Sequence, residues 1–157
     1  MQYRRLGSTG LQLSALSFGA WVTFGGQIPR DVARDLVATA WDNGVNFFDN
    51  AEVYAHGRAE QVMGDVIADL RLPRDGYCVS SKVFFGSVDD PRPTQRGLSR
   101  KHVTDACHAA LRRLRVDYLD AFGSAIHAVF LMAAGIMVLA FVLSWFLREA
   151  PLRQSHG

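Results

Sequence analysis

Cysteine is scarce in this chain: Cys78 and Cys107 are the only two in 157 residues, and they stand far apart. That excludes a disulfide frame and leaves two reduced thiols, Cys78 in a buried strand and Cys107 on a helix. The net charge is only +2. There is no broad excess of positive charge to track phosphates, so no nucleic-acid partner is expected. The opening residues, MQYRRLGSTG, lack an apolar core, so no cleavable signal peptide is expected. No Gly-x-Gly-x-x-Gly phosphate-binding fingerprint occurs. His102 and His108 are six residues apart on a helical stretch and do not share a face, so no metal site is expected. Length is the last shortage. A closed eight-stranded β/α barrel takes roughly 250 residues, and a chain of 157 is expected to fall short of one.

What is present centres on Asn46 to Tyr54, NFFDNAEVY. Val45, Phe47 and Phe48 are strand formers, and the switch to Asp49, Asn50 and Glu52 marks a strand end. A carboxylate at a strand's carboxyl tip, with a phenol on the loop that follows, is where a β/α barrel keeps its chemistry. A second strand, Tyr77 to Ser81, runs into Lys82. Asp49, Tyr54 and Lys82 can therefore meet as one ionised cluster.

The remaining elements follow from periodicity and punctuation. Tyr3–Leu6 and Leu11–Ser14 flank Gly7-Ser8-Thr9-Gly10 and read as a β-hairpin. Leu16–Gly19 reads as a strand, with Trp21 just past its tip as a pocket wall. Asp31 is placed to cap a helix that runs to Asn43, with Ala33, Leu36, Val37, Ala40 and Trp41 on its apolar face. Asn43-Gly44 ends it. A second helix spans Gly57–Leu70, facing inward through Ala59, Val62, Met63, Val66, Ile67 and Leu70. Phe84–Leu98 is a loop. Ser99 caps a third helix whose face is Val103, Ala106, Cys107, Ala110, Leu111 and Leu114. Arg112, Arg113 and Arg115 suit its dipole as solvent-facing charges, or alternatively form a basic membrane-surface patch. Val116–Asp120 begins a fourth strand. Strands alternating with amphipathic helices imply an α/β fold with a parallel sheet and right-handed crossovers. Residues 1–120 are thus read as an incomplete (β/α)8 barrel: a hairpin, three βα units and a fourth strand.

The words GVNFFDNAEVYAHGRAEQVMG and VSSKVFFG, with the opening MQYRRLGSTGLQLSALSFGAW, resemble the aldo-keto reductases. The nearest branch holds bacterial oxidoreductases and the potassium-channel beta subunits. The resemblance covers about residues 1–120. It implies hydride transfer from NADPH to a small carbonyl substrate. Tyr54 matches the family's proton-donating tyrosine, Lys82 its lysine and Asp49 its aspartate; Trp21, Asp49 and Tyr54 would touch the nicotinamide end. An ammonium beside a phenol favours its ionised form, and the carboxylate keeps that ammonium charged and placed. The family's fourth member, usually His, falls at Ala125. His127 lies two positions off and is read as part of a membrane-like segment. Most of the family's cofactor contacts come from the second half of its barrel. The chain is therefore expected to be impaired or inactive by itself, unless two half-barrels pair as a homodimer.

From Ala121 to Leu147 there is no Asp, Glu, Lys or Arg. Residues 128–147 are long and apolar enough to cross a lipid bilayer as one helix; a buried helix of a soluble protein is the alternative. Residues 121–154 resemble the last transmembrane helix and tail of major facilitator drug-proton antiporters. The division expected is therefore 1–120 and 121–157, with a membrane location and the reductase-like lobe on the cytoplasmic side, as the flanking charges favour. A non-enzymatic, membrane-anchored fragment is the competing function, and an interaction subunit like the channel beta proteins a third.

Overall fold

The computed structural model describes residues 1–116. The expected fourth strand beyond Val116, the apolar span 128–147, Ala125 and His127 lie outside them. The described residues form β1 (Tyr3–Arg5), β2 (Gln12–Ser14), β3 (Phe18–Gly19), α1 (Arg30–Asp42), β4 (Phe47–Asp49), α2 (Arg58–Leu70), β5 (Cys78–Ser80) and α3 (Arg100–Leu114). Strands β3, β4 and β5 make a parallel sheet in chain order, with Phe18 opposite Phe48 and Phe48 opposite Val79. This is the α/β alternation expected. Among the described residues there are three parallel strands and no closed barrel, and no helix is long and apolar enough to cross a membrane.

The antiparallel hairpin β1–β2 pairs Tyr3 with Ser14 and Arg5 with Gln12. It docks at the amino end of β4. The side chain of Asn46 accepts from Ser14 N at 2.7 Å and donates to Gln12 O at 3.1 Å, while Tyr3 donates to Gly44 O at 2.9 Å. Gly44 has φ +85, and a Cβ there would stand 2.9 Å from the Tyr3 hydroxyl. Only glycine satisfies both demands at this turn.

Helices cover one face of the sheet. Phe48 is fully buried against them, with Val37, Met63, Val66, Ala110 and Leu114 in the same core. Phe47 and Asp49, its strand neighbours, fall on the opposite face, as a period of two requires. Burying one such phenylalanine contributes about 1.5–3 kcal/mol.

Several expectations about the helices need correction. Asp31 is not the cap of α1. Pro29 occupies that position with φ −70 and ψ 160, and its carbonyl accepts from Ala33 N at 3.1 Å. Asp31 lies inside the first turn, where its charge meets the positive end of the helix dipole. Leu36 and Val103 are exposed, and Cys107 lies outside as well. The α3 stripe is rotated toward His102, Ala106, Ala110 and Leu114. Ser99 does cap α3, its hydroxyl accepting from His102 N at 3.2 Å. Arg112 and Arg115 are exposed at the end of α3, as expected for solvent-facing charges, whereas Arg113 is largely buried. Arg113 donates to the buried Glu60 at 2.6 Å, and Arg115 pairs with Asp65 at 2.7 Å, both across the α2–α3 seam. The helices approach closely enough to bring these groups together because Gly64 carries no Cβ. One there would meet Arg113 O at 2.3 Å.

Candidate active site at the carboxyl ends of the strands

Asp49 is the last residue of β4, in register with Ser80 at the end of β5. Ala20 N, just past β3, donates to Asp49 O at 3.0 Å, and Asn50 N donates to Ser80 O at 3.0 Å. All three strand tips are therefore tied together where Asp49 projects. Lys82 follows β5 by two residues. Its ammonium donates to both carboxylate oxygens of Asp49, at 2.8 and 2.7 Å, and to Asn50 O at 2.6 Å. Ser80 Oγ adds a 2.6 Å bond to Asp49 Oδ1.

Tyr54 completes the cluster. Lys82 Nζ lies 3.3 Å from its hydroxyl and 5.0 Å from its ring centre. Lysine has only donors, so the phenol oxygen accepts and its own proton is left to point elsewhere. Trp21 is largely exposed and stacks on Tyr54, with ring centres 6.0 Å apart and planes 19° from parallel. Beyond Tyr54 the chain turns sharply through left-handed Ala55 and His56 (φ 47 and 53) into α2. Such backbone costs about 1–2 kcal/mol per non-glycine residue. Packing holds it: a Cβ on Gly25 would come within 2.9 Å of Ala55 Cβ, so this loop is pressed against the Trp21 loop.

Partial burial pushes the Lys82 ammonium toward neutrality. The bonds and charge of Asp49 and Tyr54 outweigh it and hold its pKa above the ordinary 10.5. Lys82 thus stays a cation at neutral pH, about half exposed, over a carboxylate that is 30% exposed. Beside the cluster opens a cleft of about 310 Å³, lined by Val53, Tyr54, Lys82, Val83, Phe84 and Phe85 among others. Its walls are almost wholly apolar.

The structure therefore brings together all four residues singled out from the sequence: Trp21, Asp49, Tyr54 and Lys82. His56 does not join them; it is half exposed and pairs with Asp89 at 2.9 Å. His108 is exposed, whereas His102 is buried on Glu52 at 3.1 Å. Among the described residues no group of three or more His, Cys, Asp or Glu has metal-holding geometry.

Sequence reasoning missed Glu52 and Glu60, the two largest buried acids. Glu60 had a readable signal. It stands four residues before Gly64 on α2, so it shares the face on which a missing Cβ permits a close neighbour. His102 also had one, standing four residues before Ala106 on a helix whose start Ser99 announces. Glu52 had none, since a loop has no period.

The profile described as the Aldo/keto reductase family matches residues 15–132. A protein named "Probable voltage-gated potassium channel subunit beta" from Arabidopsis thaliana is 51% identical over 120 residues, which are 76% of this chain and 36% of that protein. Its namesake in Oryza sativa subsp. japonica is 50% identical over 120 residues, with the same coverage of 76% and 36%. The chain thus spans about a third of the length of these relatives.

Proposed function

The chain belongs to the aldo/keto reductase family, and from that premise we propose that Asp49, Lys82 and Tyr54 form the proton-delivering end of a carbonyl-reduction site. The observation that carries this reading is the 3.3 Å approach of the Lys82 ammonium, held on Asp49, to the Tyr54 hydroxyl. Lys82 donates to Tyr54 Oη, so the phenolic proton is not spent on Lys82 and can be given to a substrate carbonyl oxygen. As negative charge develops on that oxygen, Tyr54 gives up its proton, and the Lys82 ammonium stabilises the phenolate left behind. Asp49 takes no proton. It fixes the ammonium through two bonds and keeps it charged. Val83, Phe84 and Phe85 give one side of the cleft an apolar wall.

The family resemblance implies NADPH as hydride source. Among the described residues the fit is partial. The stacked Trp21 and Tyr54 rings and the apolar cleft suit a flat ring and a small carbonyl compound. Nothing beside them suits the phosphates, because the only ammonium at the cleft is committed to Asp49 and no glycine fingerprint occurs. The chemistry assigned to this chain is therefore the proton side of the reaction, and the expected rate is low. Pairing of two half-barrels as a homodimer is one route to a fuller site.

The test is NADPH-dependent reduction of 4-nitrobenzaldehyde by the purified full chain, beside its Tyr54→Phe variant. Loss of a general acid lowers the rate by roughly 10²–10⁴. Equal rates in the two proteins, or no NADPH binding at millimolar concentration, reject the reading.

A second reading concerns attachment. The run 128–147 carries no charged residue, and this supports a membrane-anchored chain with the reductase-like lobe, residues 1–120, on the cytoplasmic side, with or without turnover. The antiporter-like character of that run belongs to the same reading. Release from membranes by alkaline carbonate would reject it. The names of the relatives support a third, narrower reading, in which the chain is an interaction subunit; recovery of a channel with the purified chain is its requirement.

A further inference from the structure

Glu52 lies between Asp49 and Tyr54 in the chain, yet its side chain turns away from both. Its residue is 2% exposed. One carboxylate oxygen, Oε1, accepts from Phe84 N at 2.8 Å and Gly86 N at 2.8 Å and lies 3.1 Å from His102 Nε2. Its backbone N–H donates to Lys82 O at 3.1 Å. One residue thus grips the chain at Lys82 itself and again two and four residues later. His102 in turn is buried on the first turn of α3, where Ser99 fixes its backbone.

This arrangement is more than loop closure needs. A buried carboxylate is costly to desolvate, and an apolar side chain would pack the same space. What a carboxylate adds is direction. Backbone N–H groups on one stretch of chain can converge on a single oxygen only in one conformation. That conformation sets the height of Lys82 above β4. At that height its ammonium reaches Asp49 Oδ1 and Oδ2, Asn50 O and Tyr54 Oη together.

We propose that Glu52, braced by His102, is the positioning residue that sets Lys82 against Asp49 and Tyr54. Its purpose rests on the carbonyl-reduction reading; its geometric consequence does not depend on turnover. The route runs from the α3 start through His102 and Glu52 to the 84–86 turn, and so to Lys82.

The chain has two lysines, Lys82 and Lys101, which permits an internal ratio. Trace acetic anhydride at pH 8 labels free amines, and mass spectrometry reads Lys82 against Lys101 in the full chain. Glu52→Ala is expected to raise the Lys82:Lys101 ratio roughly tenfold, because a Lys82 released from Asp49 and Tyr54 loses the contacts that keep its amine protonated. Glu52→Gln keeps an acceptor oxygen and is expected to stay within about twofold of the parent. Val66→Ala, a core cavity that touches none of these groups, leaves the ratio unchanged. A Glu52→Gln ratio as high as that of Glu52→Ala would mean that charge, not position, acts on Lys82, and would overturn the proposal. So would a folded Glu52→Ala protein with the parent ratio. If Glu52→Ala fails to fold, His102→Leu decides: a raised ratio supports the brace, and an unchanged one overturns it. Failure of the reductase reading itself appears elsewhere, in equal rates for the parent and Tyr54→Phe.

Discussion

The strand tips and the α2–α3 seam each hold a carboxylate against a cation, and the two pairs differ chiefly in depth. At the tips, Asp49 and Lys82 have side chains 30% and 53% exposed. At the seam, Glu60 and Arg113 are 0% and 17% exposed. Water competes at the first pair and hardly reaches the second. The first can therefore be altered with little effect on folding, which leaves its groups free for chemistry. The second cannot, because either partner left alone becomes a buried, uncompensated charge. Glu60 also accepts from Ser81 Oγ at 2.6 Å, so the structural pair reaches the residue beside Lys82 without joining the cluster.

The contrast breaks most visibly at Glu60. Glu60→Ala strands the Arg113 guanidinium and is expected to cost about 3–5 kcal/mol of stability in urea unfolding. A loss under about 1 kcal/mol would mean that the seam is as solvated as the tips. Gly64→Ala comes next. Its Cβ would stand 2.3 Å from Arg113 O and 2.7 Å from Leu114 C, both backbone atoms that cannot swing aside. Overpacking of this kind costs roughly 1–3 kcal/mol, and a neutral result would show that the helices lie farther apart than described.

Lys82→Met should fall below both, changing stability by no more than about 1 kcal/mol, and under the proposed function it also abolishes aldehyde reduction. A larger destabilisation would move this pair into the structural class. The smallest effect is its pH dependence. The Lys82 pKa is raised in the folded chain above the ordinary 10.5. Its contribution is therefore fully present below that ordinary value and is lost as pH climbs through the folded one. Unfolding curves between neutral and strongly alkaline pH should show a slight extra decline in the parent that Lys82→Met lacks. An equal decline in both would place the alkaline titration on other groups.

The two regions also differ in how far they could be read in advance. Asp49, Tyr54 and Lys82 were legible because strand ends are marked by abrupt changes in residue type, and parallel strands in register bring their tips together. The hairpin and three helices were legible from spacing and punctuation to within a few residues. The seam was not, although Gly64 and Ser99 left partial signs of it. Periodicity ranks residues by hydrophobicity, and it assigns Glu60, His102 and Arg113 to the outside. Only an opposing partner makes burial of such groups tolerable, and a partner 53 residues away has no local signature.

The amino-acid order by itself determined the alternation of strands and helices, the positions of the turns and the family to which residues 15–132 belong, because these depend on local preference and on motifs a few residues long. Tertiary structure decided which acids are buried, which cation each one meets, and that Lys82 gives its hydrogen bond to Tyr54 while Glu52 holds the chain beneath it. Those outcomes depend on contacts between groups distant in sequence, and a hydrogen bond forms only when the fold has brought both partners within reach.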